Sequence, residues 1–94
     1  MDRYDFHVNV QMPSHFFKDD EVWIREMLLN LDPATRDKIN LKYGEVYQFE
    51  WEMEPISFKK ANRARHEANT RLREFVRKYA AYSRGHVSDP ELLQ

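Results

Sequence analysis

The sequence predicts a mainly α-helical domain in which three helices follow an extended N-terminal segment. Apolar residues recur at helical spacing in three separate stretches, and proline or N-capping residues stand between those stretches. The chain of 94 residues is 41% hydrophobic and 33% charged, a composition typical of a folded domain. A chain of this length has room for one modest core. We therefore expect residues 1–94 to form a single domain.

The N-terminal segment alternates apolar and polar residues from Tyr4 to Met12, reading YDFHVNVQM, as a β-strand with one buried side does. Met12 precedes a proline, which disfavours helical backbone angles. One candidate pairing partner exists in the chain, because residues 46–53, VYQFEWEM, also alternate in part. Without that pairing, segment 4–12 is expected to lie on the helices as an extended arm or to pair with a second copy.

The first helix is predicted at about residues 19–31. Acidic residues at its start suit the positive end of the helix dipole. The apolar residues that follow form the broad stripe of a helix with one buried side: Val22, Trp23, Ile24, Met27, Leu28 and Leu31. Asp32 is a good N-cap, and Pro33 occupies the first helical position, which tolerates proline. A second helix is therefore predicted to begin here.

The second helix is predicted to span about residues 33–53. Helical spacing of apolar residues continues through residues 46–53, where helix-forming residues predominate. The alternative is an α+β fold in which segments 4–12 and 46–53 form an antiparallel pair packed on the first and third helices. Two features favour that alternative: Gly44 costs about 1 kcal/mol inside a helix relative to alanine, and three glutamates near a helix C-terminus oppose its dipole.

The third helix, at about residues 57–84, is the longest. Pro55 ends the preceding element, Ser57 is a candidate N-cap, and Gly85 is a candidate C′ residue. Residues 86–94 are predicted to form a flexible tail. Eight residues recur at alternating intervals of three and four, which predicts a buried seam over more than three heptads: Phe58, Ala61, Arg65, Ala68, Leu72, Phe75, Tyr79 and Tyr82.

The formal net charge is −1, but the charges are unevenly distributed. Residues 1–58 carry twelve acids and six bases, whereas residues 59–86 carry nine bases and two acids. One side of the third helix is basic and is suited to a nucleic-acid backbone or an acidic partner. The competing interpretation is a solvated helix surface, which two glutamate-to-base pairs at i,i+4 spacing support. This basic side comprises Lys59, Lys60, Arg63, His66, Arg73, Arg77 and Arg84.

Arg65 interrupts the apolar seam, where a charged side chain needs an ion-pair partner or a route to water. One interpretation is an ion pair with an acid of the middle segment, such as Glu50 or Glu54. Such a pair would tie the basic helix to the acidic half of the chain. The other interpretation is that Arg65 is a polar residue within the seam that sets the register or the oligomeric state of a helix pair.

Phe16 and Phe17 are adjacent in the turn before the first helix, so their side chains cannot easily both face the core. One interpretation is a hydrophobic staple onto the first helix. The other is that one of them is exposed and serves as an anchor for a protein partner.

No motif for catalysis, metal binding or cofactor binding is present. Asp5 and His7 share one side of the alternating segment, which is a weak indication of acid–base chemistry. There is no nucleophile elbow and no phosphate-binding glycine loop. The four histidines lack the spacing of a metal site: His7, His15, His66 and His86. We therefore expect no enzymatic activity, no metal and no cofactor.

The chain contains no cysteine, whereas small exported domains often carry disulfides. Its N-terminus does not resemble a signal peptide, and no stretch is apolar enough to span a membrane. These features predict a cytoplasmic protein.

Three stretches, YDFHVNVQMPSHFF, EPISF and ANTRLREFVRKYA, resemble the small accessory proteins of tailed phages and prophages. The resemblance covers most of the chain. It implies a bacterial cytoplasm and a regulatory or host-interacting role, but it implies no activity and no site residues.

Two functions are predicted. The leading one is a non-enzymatic interaction module that binds a protein partner or itself through the long third helix, since its seam is long for so small a chain. The alternative is a nucleic-acid-binding protein that uses the basic side of that helix.

Overall fold

Two long helices, α2 at Pro33–Met53 and α3 at Lys60–Ser83, form an antiparallel hairpin that organises the rest of the described chain. The computed structural model describes residues 10–83, and no strand occurs within that range. The predicted mainly α-helical fold with three helices is confirmed. Its elements are a 3-10 turn at Lys18–Asp20, α1 at Glu21–Leu28, α2 at Pro33–Met53, a 3-10 turn at Ser57–Lys59 and α3 at Lys60–Ser83.

Helix α2 continues without a break through residues 46–53, so the alternative α+β fold is wrong. Residues 10–17, which we call the arm, have no regular secondary structure. The rest of the alternating segment and the predicted tail at residues 86–94 lie outside the described residues.

Asp32 caps the N-terminus of α2 as predicted. One of its carboxylate oxygens accepts a hydrogen bond from the Thr35 backbone N–H at 2.8 Å, and Pro33 is the first helical residue. The other oxygen accepts a hydrogen bond from the Tyr79 hydroxyl at 2.7 Å. The cap therefore also fastens the end of α3 to the start of α2.

Helix α1 is shorter than the predicted 19–31 span, because a 3-10 turn precedes it and a turn follows it from Leu28. Arg36 of α2 donates hydrogen bonds to the carbonyls of Leu28 at 3.1 Å and Leu31 at 2.9 Å. The Leu28 carbonyl also accepts a hydrogen bond of 3.0 Å from the Leu31 backbone N–H, and a cation at carbonyls near the end of a helix is favourable. The chain can therefore turn sharply from α1 into α2.

The core lies between α2 and α3, and residues of the arm, α1 and the turn after it complete it. Tyr43, Ile24, Leu28, Ile39 and Leu72 are the largest fully buried side chains. The buried apolar residues are Val10, Ile24, Leu28, Leu31, Ile39, Tyr43, Val46, Tyr47, Ala64, Ala68, Leu72, Phe75 and Val76.

The predicted seam of α3 is buried only along its middle. Ala64 and Val76 are buried although the spacing did not include them. At the two ends, Phe58 is 81% exposed and Tyr82 is 40% exposed, which corrects the prediction that the seam is buried throughout. Phe58 lies in the connecting turn, after α2 has already ended at Met53.

The arm lies directly against α2 at Gly44. A Cβ atom at this position would come within 2.5 Å of the Ser14 Oγ, so the absent side chain makes room for the arm. Four residues earlier, the Asn40 side chain donates a hydrogen bond of 2.5 Å to the Gln11 carbonyl. At Gly44 the Ser14 hydroxyl of the arm therefore occupies space that a side chain would otherwise fill.

Candidate functional site

The end of the α2–α3 hairpin carries many exposed apolar side chains. We call residues 49–58 the tip. Within these ten residues, five large apolar side chains are at least 40% exposed. On α2, Phe49 and Met53 share one side, and Trp51, two positions from each, points about 200° away from them. The five side chains are Phe49, Trp51, Met53, Ile56 and Phe58.

A groove of 730 Å³ opens beside the tip, between the arm and the C-terminal half of α2. We call it the aromatic groove. Its volume lies within the usual range for ligand sites. Charged residues of both signs, Lys18 and Glu52, contribute to its lining. The other lining residues are Ser14, His15, Phe16, Phe17, Tyr47, Gln48, Trp51 and Ala61.

Two stacked aromatic rings form the helical wall of the aromatic groove. Tyr47 and Trp51 are one turn apart on α2, and their ring centroids lie 6.2 Å apart with an angle of 23° between the planes. Tyr47 is buried, and burial raises the pKa of its hydroxyl. Trp51 is 40% exposed. The wall therefore has a fixed inner ring and an outer ring that a ligand can reach.

Phe16 and Phe17 form the wall that belongs to the arm. Both side chains are half-buried and pack against the core, and the Arg65 guanidinium lies 4.2 Å from the centre of the Phe17 ring. Neither side chain projects freely. Their role as anchors for a protein partner remains a prediction. In the structure, both line the aromatic groove.

Lys60 fixes the position of the first turn of α3 against the end of α2. Its ammonium group donates hydrogen bonds to the carbonyls of Trp51, at 3.1 Å, and Glu54. The Trp51 carbonyl also accepts a hydrogen bond of 3.3 Å from the Glu54 backbone N–H, so Lys60 adds a second donor at the helix end. Phe58 stands in the connecting turn two residues before Lys60, and Ala61, which lines the aromatic groove, follows Lys60 within the first turn of α3.

A second groove of 790 Å³ runs along the outer side of α3, and we call it the basic groove. It brings together four residues of the predicted basic side. Lys60 and Arg77 do not line it, and Arg84 lies outside the described residues. The lining residues are Glu54, Lys59, Asn62, Arg63, Arg65, His66, Asn69, Thr70 and Arg73.

Carboxylates of the tip neutralise part of the basic groove. The Arg63 Nε donates a hydrogen bond of 2.9 Å to Glu50, and its Nη1 lies 3.6 Å from Glu54. The hydrogen bond that Arg63 donates to Glu50 raises the pKa of Arg63. The Arg73 guanidinium lies 5.4 Å from the centre of the Trp23 ring, as in cation–π pairs. Lys59 and Arg73 form no ion pair with a carboxylate among residues 10–83.

Arg65 has an ion-pair partner, but not the predicted one. It donates two hydrogen bonds, of 2.9 and 2.5 Å, to the carboxylate of Asp20, whereas Arg63 contacts Glu50 and Glu54. Residues two positions apart on a helix point about 200° away from each other. Arg63 therefore faces the end of α2, and Arg65 faces the turn before α1.

Asp20 connects Arg65 to the buried part of the hairpin. The Asn69 side chain donates a hydrogen bond of 2.9 Å to Asp20, and the hydroxyl of fully buried Tyr43 donates to Asn69. Burial by itself would raise the pKa of Asp20, but the bonds from Arg65 and Asn69 outweigh it and hold that pKa low. Burial raises the pKa of Tyr43. We call these four residues the polar network.

Sequence reasoning did not single out Trp51 and Phe58 as surface residues. The spacing places Phe58 in the buried seam, and it places Trp51 within the predicted second helix. The available signal is that Phe58 stands three residues after Pro55 and is the first residue of the seam, where the fewest neighbours can cover it.

Among residues 10–83, no group of three or more side chains is arranged to hold a metal ion. In the same part of the chain, no helix has the length and hydropathy required of a membrane span. No protein-family model, curated protein or solved structure matches this chain.

Proposed function

We propose that this chain is a non-enzymatic interaction module of bacterial or phage origin that binds a protein partner through the aromatic groove and the tip. The observation that carries the proposal is a groove with aromatic walls, lined by the exposed Trp51 ring, together with the exposed Phe58 three residues before the groove-lining Ala61. Burying such surface against a partner releases about 25 cal/mol for each Å² of apolar area.

The first turn of α3 contributes to this surface, in keeping with the predicted use of the long helix. Phe58 and Ala61 lie on either side of Lys60, whose hydrogen bonds to α2 hold the turn in place. A preformed surface loses little conformational entropy on binding. The resemblance to phage accessory proteins supports a regulatory role in the bacterial cytoplasm, exerted by occupying the partner.

The test compares two variants that each remove one exposed apolar side chain of α2. Trp51→Ser removes the outer ring of the groove, whereas Leu41→Ser removes a side chain that is 67% exposed outside the groove and the tip. Full-length chains are immobilised and exposed to bacterial lysate, and each captured protein is then purified and titrated against the same variants.

Direct binding of a purified partner that Trp51→Ser weakens about tenfold or more and Leu41→Ser leaves unchanged would support the proposal. Self-association with the same dependence on the two variants, measured by light scattering, would also support it. A chain that stays monomeric and binds no protein in a Trp51-dependent way contradicts it.

Nucleic-acid binding is the second candidate function, and the basic groove favours it. The groove is lined by Lys59, His66 and Arg73, which lie on one side of α3. Arg77 lies on the same side, one turn further along the helix. Asn62 and Thr70 add uncharged polar groups. Such a surface is suited to the backbone of a single strand.

Titration with single-stranded and duplex probes at two salt concentrations tests this candidate. If three cations contact phosphates, single-strand affinity should fall about twentyfold between about 50 and 200 mM salt. Arg73→Gln should make that fall smaller, whereas Lys78→Gln, an exposed change on the same helix outside the groove, should not. Absence of binding at the lower salt concentration rejects the candidate.

A further inference from the structure

We infer that the aromatic groove is occupied by Phe58 of a second copy of this chain, in a dimer with two-fold symmetry. This inference rests on the proposed function, because it names the partner of the same surface. Each copy would insert its own Phe58 into the groove of the other.

The side chain that would be inserted, Phe58, is the most exposed large apolar side chain among the described residues. Phe58 is 81% exposed, and an aromatic side chain in water has most of its area still to bury. Lys60 anchors the turn that follows through hydrogen bonds to Trp51 and Glu54. Phe58 is therefore presented by a fixed turn.

The site that would receive Phe58 is the aromatic groove, which lies at the same end of the hairpin. Ala61, one turn after Phe58, lines the groove with a small side chain, beside the walls formed by Trp51 and Phe16. Aromatic walls favour edge-to-face or offset contacts with an inserted ring. A groove of 730 Å³ has ample space for one phenylalanine side chain and its neighbours.

Phe58 stands three residues before Ala61, which lines the groove, and this closeness favours a second copy over an unrelated partner. In a two-fold contact, residue i of one copy meets residue j of the other, and j meets i. Two copies would therefore cover both grooves and both Phe58 side chains at once. A partner that only filled the groove would leave Phe58 in water.

The charges around this surface are also self-complementary. Lys59, next to Phe58, is exposed and forms no ion pair with a carboxylate among residues 10–83, while Glu52 is exposed at the groove. Glu52 has only a hydrogen bond of 3.3 Å from Gln48 among the described residues. When Phe58 enters the partner's groove, its neighbouring lysine approaches that groove's glutamate. Two equivalent ion pairs would fix the orientation of the dimer.

The test is the mass of the full chain in solution, measured by light scattering from about 1 µM to about 1 mM, the range of weak to moderate affinities. Wild-type chain should approach twice its mass of 11.5 kDa. Phe58→Ser should weaken the dimer about thirtyfold, the size of an interface hot spot, and circular dichroism should confirm unchanged folding. Leu41→Ser, the matched control outside the tip, should dimerise normally.

A charge exchange separates the proposed contact from other dimers. Glu52→Lys and Lys59→Glu should each weaken the dimer, and the double variant should recover most of the loss because the pairs form again with reversed sign. A dimer that Phe58→Ser leaves unchanged overturns the inference. A monomer that binds another protein through Trp51 overturns it too, but leaves the proposed function standing.

Discussion

The middle and the beginning of α3 belong to one continuous stretch of chain, yet they treat apolar side chains in opposite ways. In the middle, Ala64, Ala68 and Leu72 are completely buried. In the turn that leads into the helix, Phe58 is 81% exposed and the groove beside it is open. The difference indicates that the middle of α3 supplies stability, while its first turn supplies a binding surface at little cost to folding.

Leu72→Ala and Phe58→Ala test this division directly. Their free energies of unfolding should show the largest difference of all the variants proposed. Leu72→Ala should lower the free energy of unfolding by about 3 kcal/mol, because it removes buried methyl groups and leaves a cavity. Phe58→Ala should change it by less than about 0.5 kcal/mol. Urea unfolding of both variants is the measurement, and equal losses would show that the tip belongs to the core.

Arg65→Leu and Arg63→Leu extend the comparison to the two arginines. Arg65→Leu should lower the free energy of unfolding by about 2 kcal/mol, because Asp20 loses its charged partner and keeps only the hydrogen bond from Asn69. This value is below that of a fully buried pair, since the Arg65 side chain is 34% exposed. Arg63→Leu should lower the free energy of unfolding by less, because the longer Glu50 and Glu54 side chains can turn toward water.

Thermal unfolding of the two arginine variants, with Lys78→Leu as an exposed reference on the same helix, provides the measurement. A larger loss for Arg63→Leu than for Arg65→Leu would mean that the ion pairs of the tip, rather than the polar network, hold α3 in place.

The helices could be predicted from the sequence because their signals are local. Asp32 and Pro33 mark a helix start, and Pro55 marks the break before α3. The choice between helix and strand at residues 46–53 was harder, because α2 exposes Phe49, Trp51 and Met53. A helix with apolar side chains on its outer side does not show the clean periodicity of an amphipathic one.

The ion pairs and the grooves could not be predicted because they depend on distant parts of the chain. Arg65 pairs with Asp20, forty-five positions earlier, and no spacing rule connects the two. The aromatic groove exists because the arm lies on α2 at Gly44. The basic residues of α3 can be read from the sequence. The ion pairs that neutralise some of them cannot, because these pairs depend on where α2 ends.

Lowering the pH tests an acid at the opposite end of the hairpin from the tip. The Thr35 backbone N–H, followed by the Tyr79 hydroxyl, lowers the pKa of Asp32 from 3.8 to about 2. Because the pKa is lower in the folded state, the carboxylate stabilises the fold above about pH 4, and this contribution is lost as the pH falls toward 2.

Asp32→Asn keeps an acceptor for the helix cap but removes the titrating group. Its free energy of unfolding should therefore fall less steeply between about pH 4 and pH 2 than that of the wild type. The remaining slope belongs in part to Asp20, whose pKa is also lowered. Identical slopes in the variant and the wild type would show that Asp32 does not contribute to the acid sensitivity.

Gly44→Ala should have the smallest net effect, because two contributions oppose each other. Alanine favours the helix by about 1 kcal/mol, but its Cβ would lie 2.5 Å from the Ser14 Oγ. Ser14 would have to rotate and give up its contact of 2.9 Å with the His15 Nδ1. In a Ser14→Ala background this obstacle is absent, so the same change should stabilise the chain by about 1 kcal/mol. A double-mutant cycle by urea unfolding measures the difference. Equal stabilisation in both backgrounds would mean that the arm does not press on α2, and the aromatic groove would then lack the wall that carries Phe16 and Phe17.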